Sequence, residues 1–131
     1  MMIPVVGTTY YLVAMITSQV ENRMWYYRSN QRTDAIDCMV EVKKDIFNFL
    51  KKDKNSVVEC NTTEYLSISE IVHRIDEDHD FKIEEEPVPI ELREKVLSAI
   101  STSPLLPIFM QKLAKEFLET LATKNTEPVS L

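Results

Sequence analysis

The densest chemistry in the chain is carboxylate. Residues 76–86 read Asp76-Glu77-Asp78-His79-Asp80-Phe81-Lys82-Ile83-Glu84-Glu85-Glu86, and across residues 64–86 nine acids stand against Arg74 and Lys82. That excess of seven negative charges exceeds the net −6 of the whole chain, because residues 1–60 hold eight basic and seven acidic side chains. Asp76, Glu77 and Asp78 fall at the C-terminal end of a predicted helix, where the dipole favours cations and an exposed acid costs about 0.3–1 kcal/mol. Acids placed against local stability point to a cationic counterpart, either a basic protein surface or a metal ion. The plain alternative is a solvated loop.

Spacing argues against metal. Asp76-x-Asp78-x-Asp80 imitates the start of a calcium loop, but the sixth position, where the turn needs Gly, is Phe81, and the twelfth, where the bidentate Glu belongs, is Pro87. Glu70-Ile71-Val72-His73 is half of a di-iron carboxylate pattern and has no second copy. His73 and His79 match no zinc spacing.

A second constellation is Arg23-Met24-Trp25-Tyr26-Tyr27-Arg28. Read as a strand, its period of two places Arg23, Trp25 and Tyr27 on one face and Met24, Tyr26 and Arg28 on the other. An outward Trp25 and Tyr27 would stack single-stranded bases, with Arg23 and Arg32 beside phosphate. The same face would also serve as ordinary cross-strand packing or as a protein-binding patch. Lysines 43, 44, 51, 52 and 54 read as a solvated helix end that complements its dipole.

Composition excludes whole families. Gly7 is the one glycine, so dinucleotide fingerprints, P-loops and kinase-type loops, which bring backbone close to phosphate, cannot be built, and neither can a G-x-S-x-G elbow. No cofactor is implied. Cys38 and Cys60 form no C-x-x-C pair, and Cys38 reads as a small buried thiol. An acidic chain has no long-range attraction for duplex nucleic acid. The apolar start, Met1 to Ile16, is too short for a membrane span of about 20 residues and has no basic n-region, so a membrane partner is not expected and the cytoplasm is the expected location.

The elements that must position these groups follow from periodicity. Residues 8–17 are aromatic and β-branched and read as a buried strand, which with 23–28 makes an antiparallel hairpin. Residues 34–52 read as a central helix, capped by Thr33 or Asp34, with Ala35, Met39, Val42, Ile46 and Phe49 along one face. Short strands are expected at 56–60 and 64–66. Ser67-Ile68-Ser69-Glu70 is a capping box with Leu66 and Ile71 as its staple, and Ile68, Ile71, Val72 and Ile75 predict a helix over 68–77. Phe81 and Ile83 suggest a half-buried strand, and Pro87 and Pro89 an extended segment. Residues 90–123, broken by Ser103-Pro104 and Pro107, read as an αα-hairpin.

The expected architecture is a single α+β domain over 1–123 with a frayed tail over 124–131. It has an N-terminal antiparallel hairpin and one or two short strands, packed by a central amphipathic helix and the C-terminal αα-hairpin. The expected function is a non-enzymatic protein–protein interaction module, an adaptor or inhibitor that presents an acidic surface to a basic partner; mimicry of nucleic acid is a special case. The expected partner-binding residues are Asp76, Glu77, Asp78, Asp80, Glu84, Glu85, Glu86, Trp25 and Tyr27. Two other classes compete: a single-stranded nucleic-acid binder built on the hairpin face, and a small-molecule enzyme with its site under the αα-hairpin. The hairpin edge would also allow pairing with a second copy of the chain.

Overall fold

The computed structural model describes residues 1–50, 53–78, 81–82 and 86–126, with side chains through residue 121. The elements in chain order are β1 (Met2–Pro4), β2 (Tyr10–Thr17), α1 (Val20–Ser29), α2 (Thr33–Ile36), β3 (Met39–Val42), β4 (Ser56–Ser67), α3 (Ile68–Glu77), α4 (Ile90–Thr102) and α5 (Ile108–Thr126). The four strands form one antiparallel sheet in the order β1-β2-β4-β3, and the fold is α+β with a C-terminal helix pair.

The N-terminal hairpin joins β1 to β2. Gly7 turns it at φ +78°, a left-handed backbone that costs glycine nothing and a side chain a good deal. The expected second strand over 23–28 is instead helix α1. Its alternation of cations and aromatics fits either period over six residues, and helical spacing lets Arg23 and Tyr27, four apart, reach one buried partner.

The expected helix over 34–52 also gives way. Only the single turn of α2 forms; Met39-Val40-Glu41-Val42 then pairs with β4, with Val40 opposite Val58. Val40 and Val42 are β-branched and suit a strand, and pairing with a neighbouring strand whose Val58 is fully buried outweighs a local helical pattern. Phe47 and Leu50, assigned to that helix, are buried in the β3–β4 connection instead.

β4 runs continuously through both expected short strands. Its register against β2 shifts between Val13–Glu64 and Met15–Glu59, so residues 60–63 stand opposite the single residue Ala14. A bulge of this kind bends the strand and re-aims side chains. The Thr63 hydroxyl steadies it by donating to the Cys60 carbonyl at 2.7 Å. Val58 and Cys60 enter the core with Leu12 and Ala14, beneath Val96, Leu97, Ile100, Met110 and Ala114 of the helix pair. Glu59, between them, points to the opposite face.

The 68–77 helix, its capping box and the C-terminal αα-hairpin form as expected. Phe81 lies outside regular structure, while Ile83 and the tail beyond Thr126 lie outside the described residues.

Candidate functional site

The surface with most carboxylate is built on α3. Ser67 ends β4 and caps the helix: its hydroxyl accepts the Glu70 N–H at 3.2 Å, and Glu70 Oε1 accepts the Ser67 N–H at 3.1 Å. The Ser67 N–H, and after it the Ser67 hydroxyl, hold the Glu70 carboxyl below its ordinary pKa. Successive residues of a helix turn by about 100°, so Ile71, Ile75, Ile68 and Val72 fan across one arc about 100° wide. The body covers only one margin of that arc. Ile71 is 1% exposed, whereas Ile68, Val72 and Ile75 are 48%, 52% and 41% exposed.

The charges on α3 are unequal in their use. Arg74 reaches back to β4, Nη2 lying 2.6 Å from Glu64 Oε2, and its guanidinium sits 5.5 Å from the Phe81 ring centroid. Its charge is thereby spent against the body. His73 Nε2 lies 3.1 Å from Glu77 Oε2, an exposed contact that carries charge only when the imidazole is protonated. Asp76 is exposed and, by helical geometry, flanks the open margin beside Val72. Asp78 is the C-cap, and its N–H donates to the Arg74 carbonyl at 2.9 Å.

A second cluster is interior. Glu59 is fully buried and both its oxygens are satisfied. Oε2 accepts from Arg23 Nε at 3.0 Å and the Tyr27 hydroxyl at 2.9 Å, and Oε1 accepts from the Asn61 side-chain amide at 2.8 Å and its backbone N–H at 3.1 Å. Asn61, re-aimed by the bulge, also donates to the Ala35 carbonyl at 2.7 Å and accepts from the Ser103 hydroxyl at 2.7 Å. The chain of bonds joins α1, α2, β4 and the α4–α5 turn. Burial, then the bond to Glu59, raises the Tyr27 pKa. Carboxylate, guanidinium, phenol and buried hydroxyl could in principle do acid–base chemistry, but each is consumed by its neighbours. The arrangement fixes α1 in place.

Trp25 and Tyr27 do not share a face: on a helix they stand about 160° apart, and while Trp25 is 69% exposed, Tyr27 is 1% exposed and held by Glu59. The base-stacking face drawn from a strand is absent, and Arg23 is turned inward to the same carboxylate. Glu86 accepts the Asn48 N–H with both oxygens at 3.0 Å, tying the 86–89 segment to the β3–β4 connection. Asp76, Glu77 and Asp78 come together at the end of α3. Asp80, Glu84 and Glu85 lie outside the described residues.

Beside β2 lies an apolar groove of about 420 Å³, floored by Met15 and Ile16 and walled by Phe47, Phe49 and Phe81, with Lys82 and Glu86 among its lining. The interior beneath the αα-hairpin, by contrast, is filled by Val96, Leu97, Ile100 and Met110. Burial pushes the Cys60 thiol up to about 12, and burial also raises Cys38, so both are poor nucleophiles at neutral pH. Among the described residues no group of three or more His, Cys, Asp and Glu side chains could hold a metal ion, and no helix is long and apolar enough to cross a membrane.

The exposed face of α3 and the Glu59 network both escaped sequence reasoning. The first had a signal: four apolar residues on a ten-residue helix at the end of a strand, with three acids following. The second had none, since Arg23 and Tyr27, Glu59 and Asn61, and Ser103 stand in three stretches of the chain that no local pattern joins. No protein-family model, curated protein sequence or solved structure matches the chain.

Proposed function

We propose that the protein is a non-enzymatic interaction module, an adaptor or inhibitor whose acidic surface at the end of α3 meets a basic protein. The observation that carries this is the placement of Asp76, Glu77 and Asp78 where the helix dipole is itself negative, while the helix's arginine is committed to Glu64. A surface that is held against its own electrostatics gains most from a cationic partner, and such complementarity acts chiefly on association rate and partner choice. The satisfied state of the Glu59 network supports a structural rather than catalytic use of the one carboxylate that is buried among the described residues.

The test compares two baits, the wild-type chain and an Asp76→Lys/Glu77→Lys variant, in affinity purification at low and high salt. The expected result is a basic protein bound by the wild type at low salt, released as salt rises, and missing from the variant. Identical recoveries by the two baits would remove the reading.

A further inference from the structure

We infer that the element of the basic partner that docks on α3 is an amphipathic helix, laid antiparallel along Ile68, Val72 and Ile75. The inference rests on the acidic surface being a partner site, and it names the shape and polarity of what binds there.

Three observations lead to it. The first is the exposed stripe itself. Ile68, Val72 and Ile75 follow i, i+4, i+7 and rise about 10 Å along the axis, the row that a second helix fills when ridges of one pack into grooves of the other. A flat sheet edge would instead need unpaired backbone groups, which the middle of a helix does not offer. The second is the fixed geometry beneath the stripe. The capping box, the buried Ile71 and the Arg74–Glu64 pair hold α3 at its start, middle and inner face, so the stripe is presented in place before a partner arrives.

The third is charge. Asp76, Glu77 and Asp78 mark the C-terminal end, where the dipole adds further negative character. A helix running antiparallel brings its positive N-terminal end to that place, and lysine or arginine flanking its apolar row would meet Asp76 beside Val72. A parallel helix would set two negative ends together. Antiparallel pairing with α3 of a second copy would offer the same dipole but no cation beside the stripe, since Arg74 is committed to Glu64, so Asp76 beside Val72 would gain no counter-charge and a basic helix is the better fit.

The test uses two fluorescein-labelled peptides of about 18 residues, made of leucine and lysine only and long enough to form helix. One has the leucines at helical spacing; the other has the same composition scrambled. Fluorescence anisotropy is read with the full chain and with its Val72→Ser/Ile75→Ser variant. Both positions are exposed, so circular dichroism of the variant should match the wild type. The expected result is binding of the amphipathic peptide about tenfold tighter than the scrambled one, a difference that the variant abolishes. Equal, salt-sensitive binding of both peptides would overturn the helix inference and leave the acidic surface standing. Binding of neither would overturn both. A preference for the amphipathic peptide that survives in the variant would place the contact elsewhere and overturn the inference for α3.

Discussion

Helices α1 and α3 are each ten residues long and each buries a single residue, yet they are held by opposite means. α1 has no apolar stripe and no side-chain cap; Arg23 and Tyr27 tether it through one buried carboxylate on β4. α3 has a complete capping box and a full apolar arc, of which the body uses one edge. A helix that needs a distant partner to exist keeps its information in that partner. A helix specified by its own sequence can afford to leave most of its apolar face open, and the open face is then available for something else.

The comparison can be broken most forcefully at Glu59. Glu59→Ala leaves Arg23, the Tyr27 hydroxyl and Asn61 without their shared acceptor, and unfolding free energy measured in urea should fall by about 3 kcal/mol, somewhat less than a fully dry pair because the Arg23 side chain keeps 27% exposure. A loss below about 1 kcal/mol would mean that α1 is held by other contacts. Tyr27→Phe removes only one bond to the carboxylate and should lose about 1.5 kcal/mol in the same assay.

On the α3 side the effects are smaller. Ser67→Ala should lose about 1 kcal/mol by removing the cap. It should also alter the acid limb of stability. Because the folded pKa of Glu70 lies below its ordinary value, the stability it contributes is present above pH 4.5 and is lost as pH falls through the depressed value. Alanine removes the Ser67 hydroxyl but keeps the N–H that depresses Glu70 most, so in pH-resolved urea midpoints the variant should flatten that dependence only in part, whereas Glu70→Gln should remove it; an acid limb unchanged by Glu70→Gln would separate Glu70 from the cap. Smallest of all, Val72→Ser should move the midpoint by no more than about 0.5 kcal/mol, as an exposed position does. A loss of about 2 kcal/mol there would mean that the stripe belongs to the folded core and is not a free surface.

The same contrast explains what could be read from the chain before its structure. Ser67, Glu70, Ile71 and the 68–77 periodicity are local, so the helix, its cap and its bounds were all legible. The breaks at Pro104 and Pro107 likewise announced the αα-hairpin, because proline acts on its own backbone. Residues 23–28 and 34–52 were misread for one reason. In each, a short run fits two periods, and the choice is made by β4: Glu59 draws Arg23 and Tyr27 onto one side of a helix, and Val58 draws Val40 into a strand. Neither Glu59 nor the four-residue bulge that turns Asn61 toward Ser103 leaves a local mark. Of the candidate site, the acids at the end of α3 were legible as composition. The exposure of Ile68, Val72 and Ile75 was not, because an apolar arc says nothing about how much of it a neighbour will cover.

The most direct check on α3 as the presenting element is a backbone-amide NMR titration of the full chain with the leucine–lysine amphipathic peptide. Shift changes concentrated on residues 68–78, with the Trp25 indole unmoved, are the predicted result. Changes centred on Trp25 and Tyr26, or on Phe47, Phe49 and Phe81 around the groove, with α3 undisturbed, would contradict it.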